Sequence, residues 1–265
     1  MSRISLVCLL LVGCASAPFA PKSEDKAGYA YAGLEGPLGS PGVRATIRAL
    51  ARAHVPEMGS HVAGWVGVDA KVDGKLRWLQ VGLFTDPASV STGNTLYLEH
   101  RSPAGYKQKW LRVNVPIGAR VRVAVEEVKP GLWRATVDGK SVGEVELTLP
   151  SGAWNATAAA ESYTVGSEPN RYRYGFANVE VLRGGSWVAM PVSKVLGDAR
   201  NKVVDRRDDG FVATSAASRG LAGALDDSFT ESSPPEETAA PSAPGPAPAT
   251  APPPQKVCPL GALGE

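Results

Sequence analysis

Arg120-Val121-Arg122-Val123-Ala124-Val125-Glu126 is followed by the turn pair Pro130-Gly131, the run 132–137 (Leu-Trp-Arg-Ala-Thr-Val), a second turn pair Asp138-Gly139, and the returning run 142–149. A valine at every second position puts Val121, Val123 and Val125 on one side of the chain and Arg120, Arg122, Ala124 and Glu126 on the other. That is the period of an extended strand with one buried and one wet face. Pro-Gly and Asp-Gly supply the backbone conformations that reverse a chain between strands. The stretch therefore predicts a three-stranded antiparallel meander.

Working outward, the same alternation marks strands at 29–33, 45–51, 64–69, 78–84, 95–100, 109–115, 157–163, 174–182 and 186–190. Residues 44–54 also fit helical spacing through Ile47, Leu50 and Ala51, and are assigned here as strand. Ten or more strands in roughly 165 residues define an all-β domain, a sandwich or a barrel.

The chain has 265 residues, a net charge of +2 and 20% charged residues, enough for one or at most two domains. It has neither a long basic block nor heptads, which argues against a nucleic-acid partner and against a coiled coil. Its three cysteines, Cys8, Cys14 and Cys258, lie outside the strand-bearing region. Neither a disulfide framework nor a cysteine-ligated zinc site is expected, and the core must cohere by packing.

Arg3 and the apolar run 4–12 have the form of an export signal, too short to cross a bilayer. Leu11-Val12-Gly13-Cys14 is similar to a bacterial lipobox, which implies a signal peptide over 1–13, lipidation of Cys14 and a short linker over 14–27. Ala15 rather than Asp after that cysteine implies, by the same resemblance, the outer membrane. Ordinary cleavage after Ala17 or Ala20 is the alternative. At the other end, ten prolines fall between Pro234 and Pro259, and a mixed-charge stretch runs through Asp198, Arg200, Lys202 and Asp205 to Asp209. Such composition cannot bury enough apolar surface to offset its ordering entropy, so 193–265 is expected to be a disordered tail and 28–192 the folded domain.

No Gly-x-Ser-x-Gly elbow is present, and His54, His61 and His100 lack the spacing of a metal-binding helix pair, so they are read as surface or cleft residues. What stands out is polar residues inside apolar strands. Gln80 lies between Leu79 and Val81, and Glu161 follows Ala158-Ala159-Ala160 and shares a face with Ala159 and Tyr163. An ionised carboxylate must be solvated or paired, and small neighbours leave room beside it, as on the floor of a groove. The plainer reading puts Glu161 on a solvent face and Gln80 in a cross-strand hydrogen bond.

Gly64-Trp65-Val66-Gly67-Val68-Asp69 followed by Leu79-Gln80-Val81-Gly82 resembles the signature of the glutamic peptidases called eqolisins. Flanking elements agree in order: Tyr31-Ala32-Gly33, Val55-Pro56, Tyr97 with Glu99 and Pro103, the 118–125 strand, and Ala160-Glu161. The resemblance covers about 29–181 and implies a double-sheet antiparallel β-sandwich of the concanavalin-like, jelly-roll kind. It implies Glu161 and Gln80 as the catalytic pair, Trp65, Asp69, Tyr97 and Glu99 as substrate-cleft residues, a polypeptide substrate, and no metal or organic cofactor. The chain departs from the family after the glutamate, where Ser162-Tyr163-Thr164-Val165 replaces the usual Trp and acidic residue, and at Gly175-Phe176-Ala177-Asn178, where an Asp is missing. Two other readings use the same fold. One is a non-catalytic module binding a glycan or peptide of the cell envelope through Trp65, Trp78, Tyr97 and Trp110, residues that core packing would equally explain. The other is an envelope structural protein.

Overall fold

The computed structural model describes residues 28–215; Cys14, the export signal and the Pro-rich tail lie outside the described residues. Fifteen strands make up the described chain: β1 Gly28–Glu35, β2 Gly42–Ala49, β3 His61–Val72, β4 Lys75–Thr85, β5 Asn94–Ser102, β6 Gly105–Val115, β7 Arg120–Lys129 and β8 Leu132–Val137, then β9 Lys140–Glu146, β10 Asn155–Thr164, β11 Arg173–Arg183, β12 Ser186–Ala189, β13 Lys194–Leu196, β14 Asn201–Arg207 and β15 Gly210–Ser215. None of the described residues is helical. They form two antiparallel sheets packed as a sandwich, one in the order β13-β1-β10-β3-β4-β5-β6 and the other β14-β15-β11-β2-β7-β8-β9, with β12 beside β11.

The 120–149 meander is β7, β8 and β9, with Asp138 and Gly139 at positive φ in the second turn. Val121, Val123 and Val125 are fully buried against the other sheet. Residues 42–49 are a strand between β7 and β11, because Val43, Ala45, Ile47 and Ala49 alternate with half-buried polar neighbours. From the seven-stranded sheet, Val62, Val66 and Val68, Leu79, Val81 and Leu83, and Ala156, Ala158 and Ala160 enter the same core. Each fully buried Val or Leu contributes about 1.5–3 kcal/mol of transfer free energy. Gly64 leaves space for a ring from the opposite sheet, since a Cβ there would sit 2.9 Å from Tyr174 Cδ1.

The domain ends later than the sequence predicts. Residues 194–215, expected in the tail, include β13, β14 and β15, so the described sandwich continues past 192 to 215. Phe211 is buried and stacks on Phe176 at 4.5 Å with an 8° interplanar angle, and Val212 and Ala213 are buried beside it. The charges that argue for a linker sit on β14, at the edge of the sheet, where Lys202, Asp205, Arg206 and Arg207 are exposed. Charged edge strands discourage pairing with other chains, so composition alone misreads them.

Candidate functional site

The two faces of the seven-stranded sheet differ. The residues that alternate with the core set point away from the other sheet: His61, Ala63, Trp65, Gly67 and Asp69 on β3, Trp78, Gln80, Gly82 and Phe84 on β4, Tyr97 and Glu99 on β5, and Thr157, Ala159 and Glu161 on β10. Most of them line a cleft of about 1020 Å³ together with Tyr29, Tyr31, Tyr106, Trp110 and Tyr163, while Tyr97 and the small residues lie beneath it. Gln80 and Glu161 both line it. By register Gln80 lies opposite Gly67 and Glu161 opposite Ala63, so the two side chains share a face across β3.

The floor between them is made of small residues and flat rings. Ala63, Trp65, Tyr97 and Ala159 form a buried apolar cluster on this side of the sheet, with Tyr31 and Phe84 packed against it. Gly82, two positions from Gln80 and on the same face, allows a close approach of β3: a Cβ would fall 2.1 Å from the Gly64 carbonyl oxygen and 2.6 Å from Trp65 Cα. Any side chain at 82 would push the strands apart and tilt Gln80.

Glu161 is 7% exposed, which departs from the solvent-face reading, and one carboxylate oxygen lies 3.1 Å from His61 Nε2. His61 packs between Phe84 and Tyr163, at ring distances of 5.1 and 5.4 Å, which fixes the imidazole against the carboxyl group. Gln80 Nε2 donates to the Tyr97 hydroxyl at 3.1 Å and to a Glu99 carboxylate oxygen at 3.4 Å. The Tyr106 phenol lies close enough to Glu99 to favour its ionised form. Burial, and then the negative charge of Glu161, push the Glu99 carboxyl up to about 8. Burial also raises Asp69, which accepts a 3.1 Å hydrogen bond from Asn155 Nδ2. The phenols of Tyr29 and Tyr31 are raised by burial and by the charge of Glu161, so both remain neutral donors. Trp78 is held at the cleft wall beneath the Arg101 guanidinium, 4.8 Å from its ring centroid.

Of the residues singled out in the sequence, Gln80, Glu161, Trp65, Asp69 and Glu99 line the cleft. Tyr97 does not: at 1% exposure it lies under the floor and reaches the site only through its hydroxyl on Gln80. Trp78 and Trp110 also line the cleft, whereas Trp133 and Trp154 stack edge to face in the core. Sequence reasoning assigned no site role to Tyr29, Tyr31 or Tyr106 and placed His61 only as a surface or cleft residue. His61 carried a usable signal, being four residues before Trp65 and hence on the same face of one strand. The tyrosines carried none, because their convergence depends on which strands pair. Among the described residues no group of three or more His, Cys, Asp or Glu side chains is arranged to hold a metal ion.

No family profile matches the chain, and no curated protein matches it. Among solved structures it is similar to scytalido-glutamic peptidase in complex with a peptide-based transition-state analogue, at 16% identity and a TM-score of 0.51, over 72% of this chain and 100% of that one. It is also similar to SCP-B, a member of the eqolisin family of peptidases, in complex with the tripeptide Ala-Ile-His, at 15% identity and a TM-score of 0.46, over 71% of this chain and 98% of that one. An alginate lyase from Pseudomonas aeruginosa matches at 18% identity and a TM-score of 0.40, over 56% of this chain and 67% of that one. At such identities the likeness is one of fold alone, a double-sheet antiparallel β-sandwich.

Proposed function

We propose that this protein is a glutamic-type endopeptidase, with Glu161 as general base and acid and Gln80 as oxyanion stabiliser. The observation that carries the reading is that a buried carboxyl and a buried carboxamide lie on one face of a sheet and line a single cleft, with Trp65 and small residues on the floor between them. A peptide laid along that floor would present its carbonyl carbon to a water held by Glu161. As the water oxygen bonds to the carbon, its proton passes to Glu161, and the carbonyl oxygen gains the charge that an amide N–H of Gln80 can meet. The C–N bond then breaks and the Glu161 proton goes to the leaving nitrogen. The His61 contact holds the carboxyl group in one rotamer while this happens. Export through the 1–13 signal and a lipid anchor on Cys14, which would tether the domain at the outer surface of a bacterial membrane, belong to the same proposal.

The test is cleavage of a denatured protein from about pH 2 to about pH 8, with parent, Glu161→Ala and Gln80→Ala proteins compared after each is shown to be folded. Cleavage by the parent alone is the expected result, with Gln80→Ala slower by about 10²–10³-fold. No cleavage by a folded parent at any pH would end the peptidase reading. The half-exposed Trp110 at the rim, beside Trp78 and Tyr106 on the wall, favours a second reading as an envelope glycan- or peptide-binding module. Saturable binding by that same inactive parent would support it.

A further inference from the structure

The Gln80 carboxamide has both of its donors turned toward protein. Nε2 faces the Tyr97 hydroxyl at 3.1 Å and Glu99 Oε2 at 3.4 Å, and a primary amide nitrogen has two hydrogens. In that orientation neither hydrogen is free for an oxyanion in the cleft. A carboxamide can turn by 180° about its terminal torsion without change of shape, exchanging Oε1 and Nε2. The reversed orientation needs donors, not acceptors, on its inner side. Tyr97 supplies one, because a phenol O–H both donates and accepts. Glu99 supplies the other only when it carries a proton.

We propose that Glu99 is a positioning residue for Gln80: protonated, it donates to Gln80 Oε1 and turns the amide hydrogens into the cleft, and ionised, it accepts from Nε2 and turns them away. This rests on the peptidase reading for its consequence, but the orientation itself is a property of the folded chain. The geometry for both states is present. Glu99 and Gln80 are directly opposed in the β4–β5 register and are 7% and 8% exposed, so water cannot replace either partner freely. The nearby Tyr106 phenol can donate to one carboxyl oxygen in either form, leaving the other for Gln80.

The groups facing Glu99 decide where the switch falls. Gln80 and Trp78 face it from β4, Gln108 and Tyr106 from β6, and Tyr97 and Arg101 flank it on β5. Glu161 reaches it from β10, Tyr29 and Tyr31 from β1, and Lys107 stands at the rim. Burial and the Glu161 carboxylate favour the neutral form, while Tyr106, Gln80 and Arg101 oppose them, and the carboxyl group stays protonated up to about 8. Glu99 would thus set the alkaline limit of the enzyme.

The experiment follows the side-chain amide hydrogens of Gln80 by ¹H–¹⁵N NMR of the full chain from about pH 5 to about pH 9, the signals being assigned by their loss in Gln80→Leu. The expected result is one titration near pH 8 in the parent, absent in Glu99→Gln, whose side chain donates at every pH. Alongside, the alkaline limb of kcat/KM should lie near pH 8 in the parent and move up by at least about one pH unit in Glu99→Gln. Tyr97→Phe, which keeps Glu99, should lower kcat by about 3- to 10-fold with KM and the limb unchanged. Gln80 signals that titrate alike in parent and Glu99→Gln, or not at all, would overturn the proposal. A parent that cleaves nothing removes the peptidase reading alone, because the amide titration still decides the role of Glu99.

Discussion

The inner and outer faces of the seven-stranded sheet are built from alternate residues of the same strands, yet they obey different rules. On β4 the inward set is Leu79, Val81 and Leu83, none more than 1% exposed, and the outward set is Trp78, Gln80, Gly82 and Phe84. On β10 the inward set is Ala156, Ala158 and Ala160, and the outward set includes Thr157 and Glu161. The inward residues are those any sandwich core would choose. The outward ones carry buried polar groups that cost stability unless paired, and their pairing to His61, Tyr97 and Glu99 is too specific to serve packing alone. One face holds the fold and the other carries the paired polar groups.

That division can be broken in several ways. The largest effect is expected from Glu161→Gln, which keeps the shape and removes the base: kcat/KM should fall by at least about 10³-fold. Phe211→Ala removes the ring that stacks on Phe176 and should cost about 3–5 kcal/mol, read from denaturant unfolding. Leu79→Ala, on the inner face next to Gln80, should cost about 2–5 kcal/mol and lower Tm by on the order of 10 °C, while leaving KM nearly unchanged. An equal loss of activity and stability in Leu79→Ala would mean that the faces are not independent.

Gly82→Ala sharpens the comparison because it sits on the outer face but strains the backbone. The added Cβ has 2.1 Å to the Gly64 carbonyl oxygen, so a cost of about 1–3 kcal/mol is expected together with a loss of activity from the displaced Gln80. The effect of pH is spread over a wide window. Glu99 ionises at about 8 in the folded chain against an ordinary 4.5, so between those values the native state holds a proton that the unfolded chain has lost. Stability should therefore fall as pH rises through that window, by at most about 1.4 kcal/mol per pH unit. Thermal unfolding of Glu99→Gln should show a flatter pH dependence over the same range.

Much of this division was legible in the sequence. The meander at 120–149 reads directly as alternation with turns, and the Gly64-to-Gly82 block and Ala160-Glu161 singled out Gln80 and Glu161, both of which line the cleft. What was not legible depends on pairing at long range. Strands β14 and β15 look like a charged linker until Phe211 meets Phe176, thirty-five positions earlier. Tyr97 is a cleft residue by resemblance alone, and the crowding by Trp65, Phe84 and Ala159 sinks it below the floor. His61 lacks the spacing of a metal-binding pair and reads only as a surface or cleft residue, and its meaning comes from Glu161, one hundred residues away.

The most direct measurement takes Glu161→Gln and the parent side by side, recording kcat/KM on a denatured protein substrate and Tm in the same buffer. A glutamic peptidase whose chemistry is confined to the outer face should lose at least about 10³-fold in rate with Tm shifted by no more than about 2 °C. An unchanged rate, or a loss of rate that simply follows a large fall in Tm, would contradict the assignment of Glu161 as the catalytic base.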